Sequence, residues 1–130
     1  MGRRIVPPVI LAFGGYDPTG GAGVLMDAKA IHAAGGYAVA VPSCLAVQST
    51  AAFLRAVPIP RVTIDQSLAS AAKSFPLRAV KIGMVGTRQA AEAILAFLGN
   101  NPRLPVVLDP VLREAPQAEL ARVAAAAARA

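Results

Sequence analysis

The sequence predicts an α/β protein built on a mostly parallel sheet. Apolar runs alternate with helix-periodic stretches through the 130 residues, and glycines or prolines mark the junctions between them. The runs are also continuous, as in strands buried on both faces, and do not alternate as in a half-solvated sheet. In open sheets of this kind ligands lie beyond the carboxyl ends of the strands. The search for chemistry therefore narrows to "GGYDPTGGAG", "CLAVQST", "GMVGT" and "DPVLRE".

The elements follow in order. Val9 to Phe13 is an apolar run ended by glycines and reads as a first, fully buried strand. A helix is predicted from about Gly21 to Ala34, with Val24, Ala28 and Ile31 on one stripe and Asp27 turned away; Gly35-Gly36 stop it. Tyr37 to Cys44 is the second strand, with Pro42 tolerated near its end. Phe53 to Pro60 is a weaker extended segment, an edge or an excursion. Thr63 to Phe75 is a helix, with Thr63 and Gln66 as a capping box and Ile64, Leu68, Ala71 and Phe75 in register. Leu77 to Gly83 is a third strand. Thr87 caps a helix carrying Ala91, Ile94, Leu95 and Leu98, closed by Gly99. Pro105 to Val111 is a fourth strand, and Pro116 opens an alanine-rich last helix. The whole is read as one domain, residues 1–130.

Composition removes several classes of function. The chain is 55% hydrophobic, too apolar for disorder. Aromatics make up 5% and tryptophan is absent, which leaves no platform for stacking bases. The net charge of +6 raises anionic partners, but the basic residues are dispersed and only Arg3-Arg4 are adjacent, so no nucleic-acid partner is expected. The lone cysteine, Cys44, excludes an internal disulfide and reads as a buried, inert thiol. The N-terminal stretch has twin arginines, but Pro7-Pro8 interrupt its apolar part. Val6 stands where a myristoylation site needs Ser or Thr, and no run is long enough to span a membrane. A cytoplasmic location without membrane contact is expected.

The loop "FGGYDPTGGAG" invites a phosphate-binding reading. Gly15 and Gly20 have the P-loop spacing, but Gly21 and Ala22 follow where Lys and Ser or Thr are needed. The dinucleotide fingerprint fails in every register. What remains is a backbone able to approach a ligand closely, with Asp17 adding a carboxylate. A tight turn and a ligand-contacting turn both fit. His32, the single histidine, sits on a helix and reads as a surface residue. Lys81, flanking a strand, reads as reaching solvent.

Four motifs in order carry a resemblance over residues 9–113. The segment "GGYDPTGGAGVLMDAKAIHAAGGYAVAVPSCLAVQST", with "VKIGMVGT" and "VVLDPVL" after it, resembles the hydroxymethylpyrimidine/phosphomethylpyrimidine kinases of thiamine biosynthesis. The resemblance implies a ribokinase-like three-layer α/β/α sandwich. It implies transfer of the γ-phosphoryl group of ATP, with Mg²⁺, onto an aminopyrimidine alcohol and then its monophosphate. By position it places the glycine loop, with Gly15 and Asp17, on the acceptor side. Gln48 matches the pyrimidine-binding glutamine, and Met84 and Val111 line the ring pocket. Asp109 matches the acidic position that helps organise Mg²⁺.

The sequence departs from the family pattern in two ways. Tyr16 stands where the family carries serine, placing a phenol in the acceptor loop. The family's glycine-rich anion hole and catalytic base belong to a second half, and no glycine follows Val111 here. No catalytic base is assigned, and the chain is expected to be the acceptor-binding half of a kinase, truncated, with a fragment, one piece of a split enzyme and a diverged binder all left open. Such a half leaves a strand edge unpaired, so association through that edge, as a homo-oligomer, is expected. Two alternatives stay open: a non-catalytic pyrimidine-binding or scaffold protein, and a related pyridoxal-type vitamin kinase.

Overall fold

The computed structural model describes residues 6–112 and 116–130. The Arg3-Arg4 pair and residue 113, the last of the family resemblance, lie outside them. The elements run β1 (Val9–Tyr16), α1 (Gly23–Ala33), β2 (Tyr37–Gln48), β3 (Phe53–Pro58), α2 (Arg61–Ser74), β4 (Leu77–Ile82), α3 (Arg88–Asn100), β5 (Val106–Leu108) and α4 (Gln117–Ala127). The sheet order is β3-β2-β1-β4-β5, with every pairing parallel except β2–β3.

This order dictates the layers. The chain leaves β1 toward β2 through α1, then crosses back over β1 to β4 through α2. Right-handed crossovers in opposite directions put their helices on opposite faces. The main core accordingly joins Leu11, Phe13, Val80 and Ile82 of the sheet to Ile64 and Leu68 of α2, Ile94 and Phe97 of α3, and Leu120 and Val123 of α4. Ala12 and Val24 are buried outside that cluster, under α1. The sheet is thus sandwiched between α1 and the α2–α4 layer. No helix among the described residues is long and apolar enough to cross a membrane.

Several boundaries differ from the sequence expectation, each for a local reason. β1 runs on through Gly14 and Gly15 to Tyr16, because the two glycines let the loop after β4 pack directly against the strand. A Cβ on Gly14 would lie 3.4 Å from Met84 N, and one on Gly15 3.3 Å from Met84 Sδ. β2 extends to Gln48, and Pro42 sits inside it, not near its end. The register with β1 slips between Gly14 and Gly15, where Pro42 and Cys44 become successive partners, and a bulge tolerates a residue without an N–H. β3 is an antiparallel edge, joined to β2 by a turn in which Ser49 N bonds Ala52 O at 2.9 Å.

α2 begins at Arg61, so the Thr63–Gln66 capping box does not form. Pro60 occupies the N-cap with φ −57° and no side-chain cap. Its carbonyl accepts from the N–H groups of Thr63 and Ile64, starting the helix two residues early. In α3 the expected cap is present, with Thr87 Oγ1 accepting from Ala90 N at 3.1 Å. The helix passes through Gly99 and ends at Asn100, where Asn101 Nδ2 donates to Phe97 O at 2.9 Å and replaces a glycine stop. β5 is only three residues long. Asp109 N makes one last bond to Ile82 O at 2.8 Å, and Pro110 has no N–H to continue the ladder. Cys44 is fully buried, and burial pushes its thiol pKa up. His32 is exposed on α1.

Candidate functional site

The point where the strand order reverses lies between β1 and β4, and a cavity of about 470 Å³ opens beyond their carboxyl ends. Gly15 and Asp17 come from the end of β1, and Gln48 from the end of β2. Met84 follows β4, and Asp109 and Val111 follow β5; all six line this cavity. Tyr16 lines it as well. The sequence reading missed Met26, Asp27, Phe53 and Lys81, which also face it.

The glycine loop folds inward around Asp17, which is 5% exposed. The Asp17 carboxylate accepts from Thr19 N at 2.9 Å and from the Thr19 hydroxyl at 2.9 Å. Gly20 N bonds Asp17 O, and Gly21 N bonds Thr19 Oγ1. Burial alone would push the Asp17 carboxyl up. Hydrogen bonds from Thr19 N–H, Gln48, the Thr19 hydroxyl and Ala22 N–H outweigh that and hold its pKa below the ordinary value. These donors are thus spent on closing the loop itself. Gly23 closes the motif with φ +62°, its α-carbon packed on the Gly15 carbonyl, where no Cβ would fit.

Met84 is set from behind. Ser43, fully buried on β2, donates from its hydroxyl to Met84 O at 2.6 Å, and Cys44 Sγ lies 4.0 Å from Met84 Sδ. Ser43 carries no motif signal; only its two-sided burial mid-strand could have marked it.

The charged wall corrects two expectations. Asp27 does not turn away, and Lys81 does not simply reach solvent. Lys81 Nζ lies 2.8 Å from Asp27 Oδ1 and donates to Oδ2 at 2.9 Å. It lies 3.6 Å from Asp109 Oδ2 on the other side. The Lys81 and Asp27 side chains are 21% and 16% exposed, while that of Asp109 is 78% exposed. The missing Cβ of Gly83 leaves room for the ammonium, since one built there would stand 3.1 Å from Nζ. The signal was the strand register: Lys81 is flanked by Val80 and Ile82, which face the main core, so it must face α1.

Comparisons with known proteins agree with this fold. The sequence pattern of the phosphomethylpyrimidine kinase family matches residues 17–129. The chain is 37% identical over 112 residues to the hydroxymethylpyrimidine/phosphomethylpyrimidine kinase of Aquifex aeolicus, covering 86% of this chain and 44% of that protein. It is 39% identical over 111 residues to a thiamine biosynthesis multifunctional protein of Corynebacterium efficiens, covering 85% and 15%. Among solved structures it superimposes on phosphomethylpyrimidine kinase from Clostridium difficile with a TM-score of 0.75 at 28% identity, covering 78% and 44%. A pyridoxal kinase from Staphylococcus aureus shares the fold, with a TM-score of 0.73 at 21% identity over 82% and 40% of the two chains. The chain therefore spans less than half the length of these relatives. With this fold, the ribokinase-like architecture of the vitamin kinases, and with that match over most of its length, the chain belongs to the phosphomethylpyrimidine kinase family.

Proposed function

We propose that the chain forms the acceptor-binding part of a kinase that phosphorylates the hydroxymethyl group of an aminopyrimidine and then the resulting monophosphate. The observation that carries this reading is the convergence of Gln48, Asp17, Met84, Val111 and Asp109 on one cavity at the switch point. The Gln48 amide offers a donor and an acceptor side by side, which suits the edge of an aminopyrimidine. Met84 and Val111 supply apolar contact for the faces of a flat ring. Asp17 keeps the loop closed and the Gln48 amide oriented.

ATP, when bound, supplies the phosphoryl group. Asp109 offers one exposed carboxylate, which suits a magnesium ion held mainly by nucleotide phosphates and water. No group of three or more His, Cys, Asp or Glu among the described residues could hold a metal ion by itself. No described residue is assigned as the catalytic base. The partners of this reading are a small-molecule alcohol and the nucleotide, with no nucleic acid and no membrane.

The test is to mix the purified chain with hydroxymethylpyrimidine and Mg-ATP, follow ADP release, and titrate each ligand alone by calorimetry. Turnover establishes the kinase. Pyrimidine binding without turnover identifies a binding half or scaffold. Tighter binding of pyridoxal than of the pyrimidine moves the chain to the pyridoxal branch, and binding of neither removes the reading.

A further inference from the structure

Resting on the pyrimidine reading above, we propose that Lys81 is the residue that lets this cavity accept an anionic, phosphorylated acceptor as well as the neutral alcohol. Three carboxylates line the cavity: Asp17, Asp27 and Asp109. Among the described residues lining it, Lys81 is the one cation. The nearby Lys29 ammonium is taken by the loop, donating to Gly20 O at 3.0 Å. A neutral alcohol meets little opposition in such a place. A phosphomonoester brings a charge of about −1.5 to −2 at neutral pH. Beside several carboxylates it is repelled unless a cation intervenes.

Lys81 is held in a manner that suits this task. Its tight contact, at 2.8 Å, is to the largely buried Asp27, which anchors the ammonium at the cavity wall. Its contact to Asp109 is loose, at 3.6 Å, and Asp109 is the exposed partner. An ammonium has three donors. Two face the two oxygens of Asp27, and the third, engaged only by the loose 3.6 Å contact to Asp109, is the one able to turn to a phosphate oxygen. Asp27 thus positions Lys81, and Lys81 sets which charge state of acceptor the cavity tolerates.

The experiment compares calorimetric affinities for hydroxymethylpyrimidine and for its phosphomonoester, without nucleotide, in the wild-type chain, Lys81→Met and Lys81→Arg. Lys81→Met should weaken the ester by at least about ten times more than the alcohol, the size of one hydrogen bond to a charged group. Lys81→Arg should keep the wild-type ratio within about threefold. If Lys81→Met leaves Asp27 unpaired and unfolds the chain, Asp27→Asn with Lys81→Met is compared with Asp27→Asn alone, and the ester should again lose selectively. Equal loss of both ligands gives Lys81 a structural role only and overturns the inference. So does alcohol binding by a wild-type chain that refuses the ester, which leaves the pyrimidine reading standing. Failure of the wild-type chain to bind either ligand overturns both.

Discussion

The hydroxyl of Ser43 donates a 2.6 Å hydrogen bond to the carbonyl of Met84, joining residues 41 positions apart across the floor of the cavity. Ser43 is fully buried, so the bond has no water to replace it. Ser43→Ala leaves the Met84 carbonyl short of a partner and should cost about 1–3 kcal/mol in urea denaturation. It should also weaken the pyrimidine, because Met84 loses its anchor. Unchanged stability and unchanged affinity together would show that the bond contributes nothing.

Gln48→Ala tests the ring-edge contact. The variant should bind hydroxymethylpyrimidine about tenfold more weakly by calorimetry, and its urea midpoint should also fall, because Asp17 loses the Gln48 hydrogen bond. An affinity within twofold of wild type would remove Gln48 from the site.

Two glycines at positive φ should respond differently to a methyl group. At Gly23, φ is +62° and the added carbon meets the Gly15 backbone; at Gly35, φ is +85° and nothing lies within 4 Å. Gly35→Ala should cost about 1–2 kcal/mol, the left-handed penalty alone. Gly23→Ala adds a backbone collision at the loop that holds Asp17, and should cost more than about 3 kcal/mol or abolish folding. Equal midpoints in chemical denaturation would refute the packing described here.

The Asp17 carboxyl, held below its ordinary value of 3.8, gives an acid limb of predictable sign. A depressed folded-state pKa means stability that is fully present above the ordinary value and lost as the pH falls through the lower, folded one. Asp17→Asn should therefore flatten the fall in stability below about pH 4, measured by urea midpoints at successive pH values. A wild-type curve with the same slope as the variant in that range would contradict the assignment.

The outer edge of β5 is unpaired among the described residues, and Val107 on that strand is 62% exposed. We expect the chain to associate through a sheet edge at high micromolar concentration. A clean monomer by light scattering would rule this out.

Much of the fold was legible because strand and helix periods are local properties. The continuous run at Val9–Phe13, the stop at Gly35 and the cap at Thr87 each act within a few residues. The same holds for rejecting a phosphate loop, since the missing Lys at position 21 needs no neighbour to be read. Where two local signals competed, the sequence could not arbitrate. Thr63 and Gln66 have capping-box spacing, but Pro60 starts the helix earlier with a fixed φ and a free carbonyl. Gly14 and Gly15 read as a strand end, although the strand needs them for the close approach of Met84.

The order of elements, the parallel sheet and, through the motifs, six residues of the cavity wall were legible before folding: Gly15, Asp17, Gln48, Met84, Asp109 and Val111. The Lys81–Asp27 pair in that wall exists only once the chain has folded. Lys81 and Asp27 are 54 positions apart, and no local pattern marks them as partners. They meet because the crossover helix α1 lies on the face of the sheet to which Lys81 points. A lysine half-withdrawn from water there takes the carboxylate that the helix brings to it.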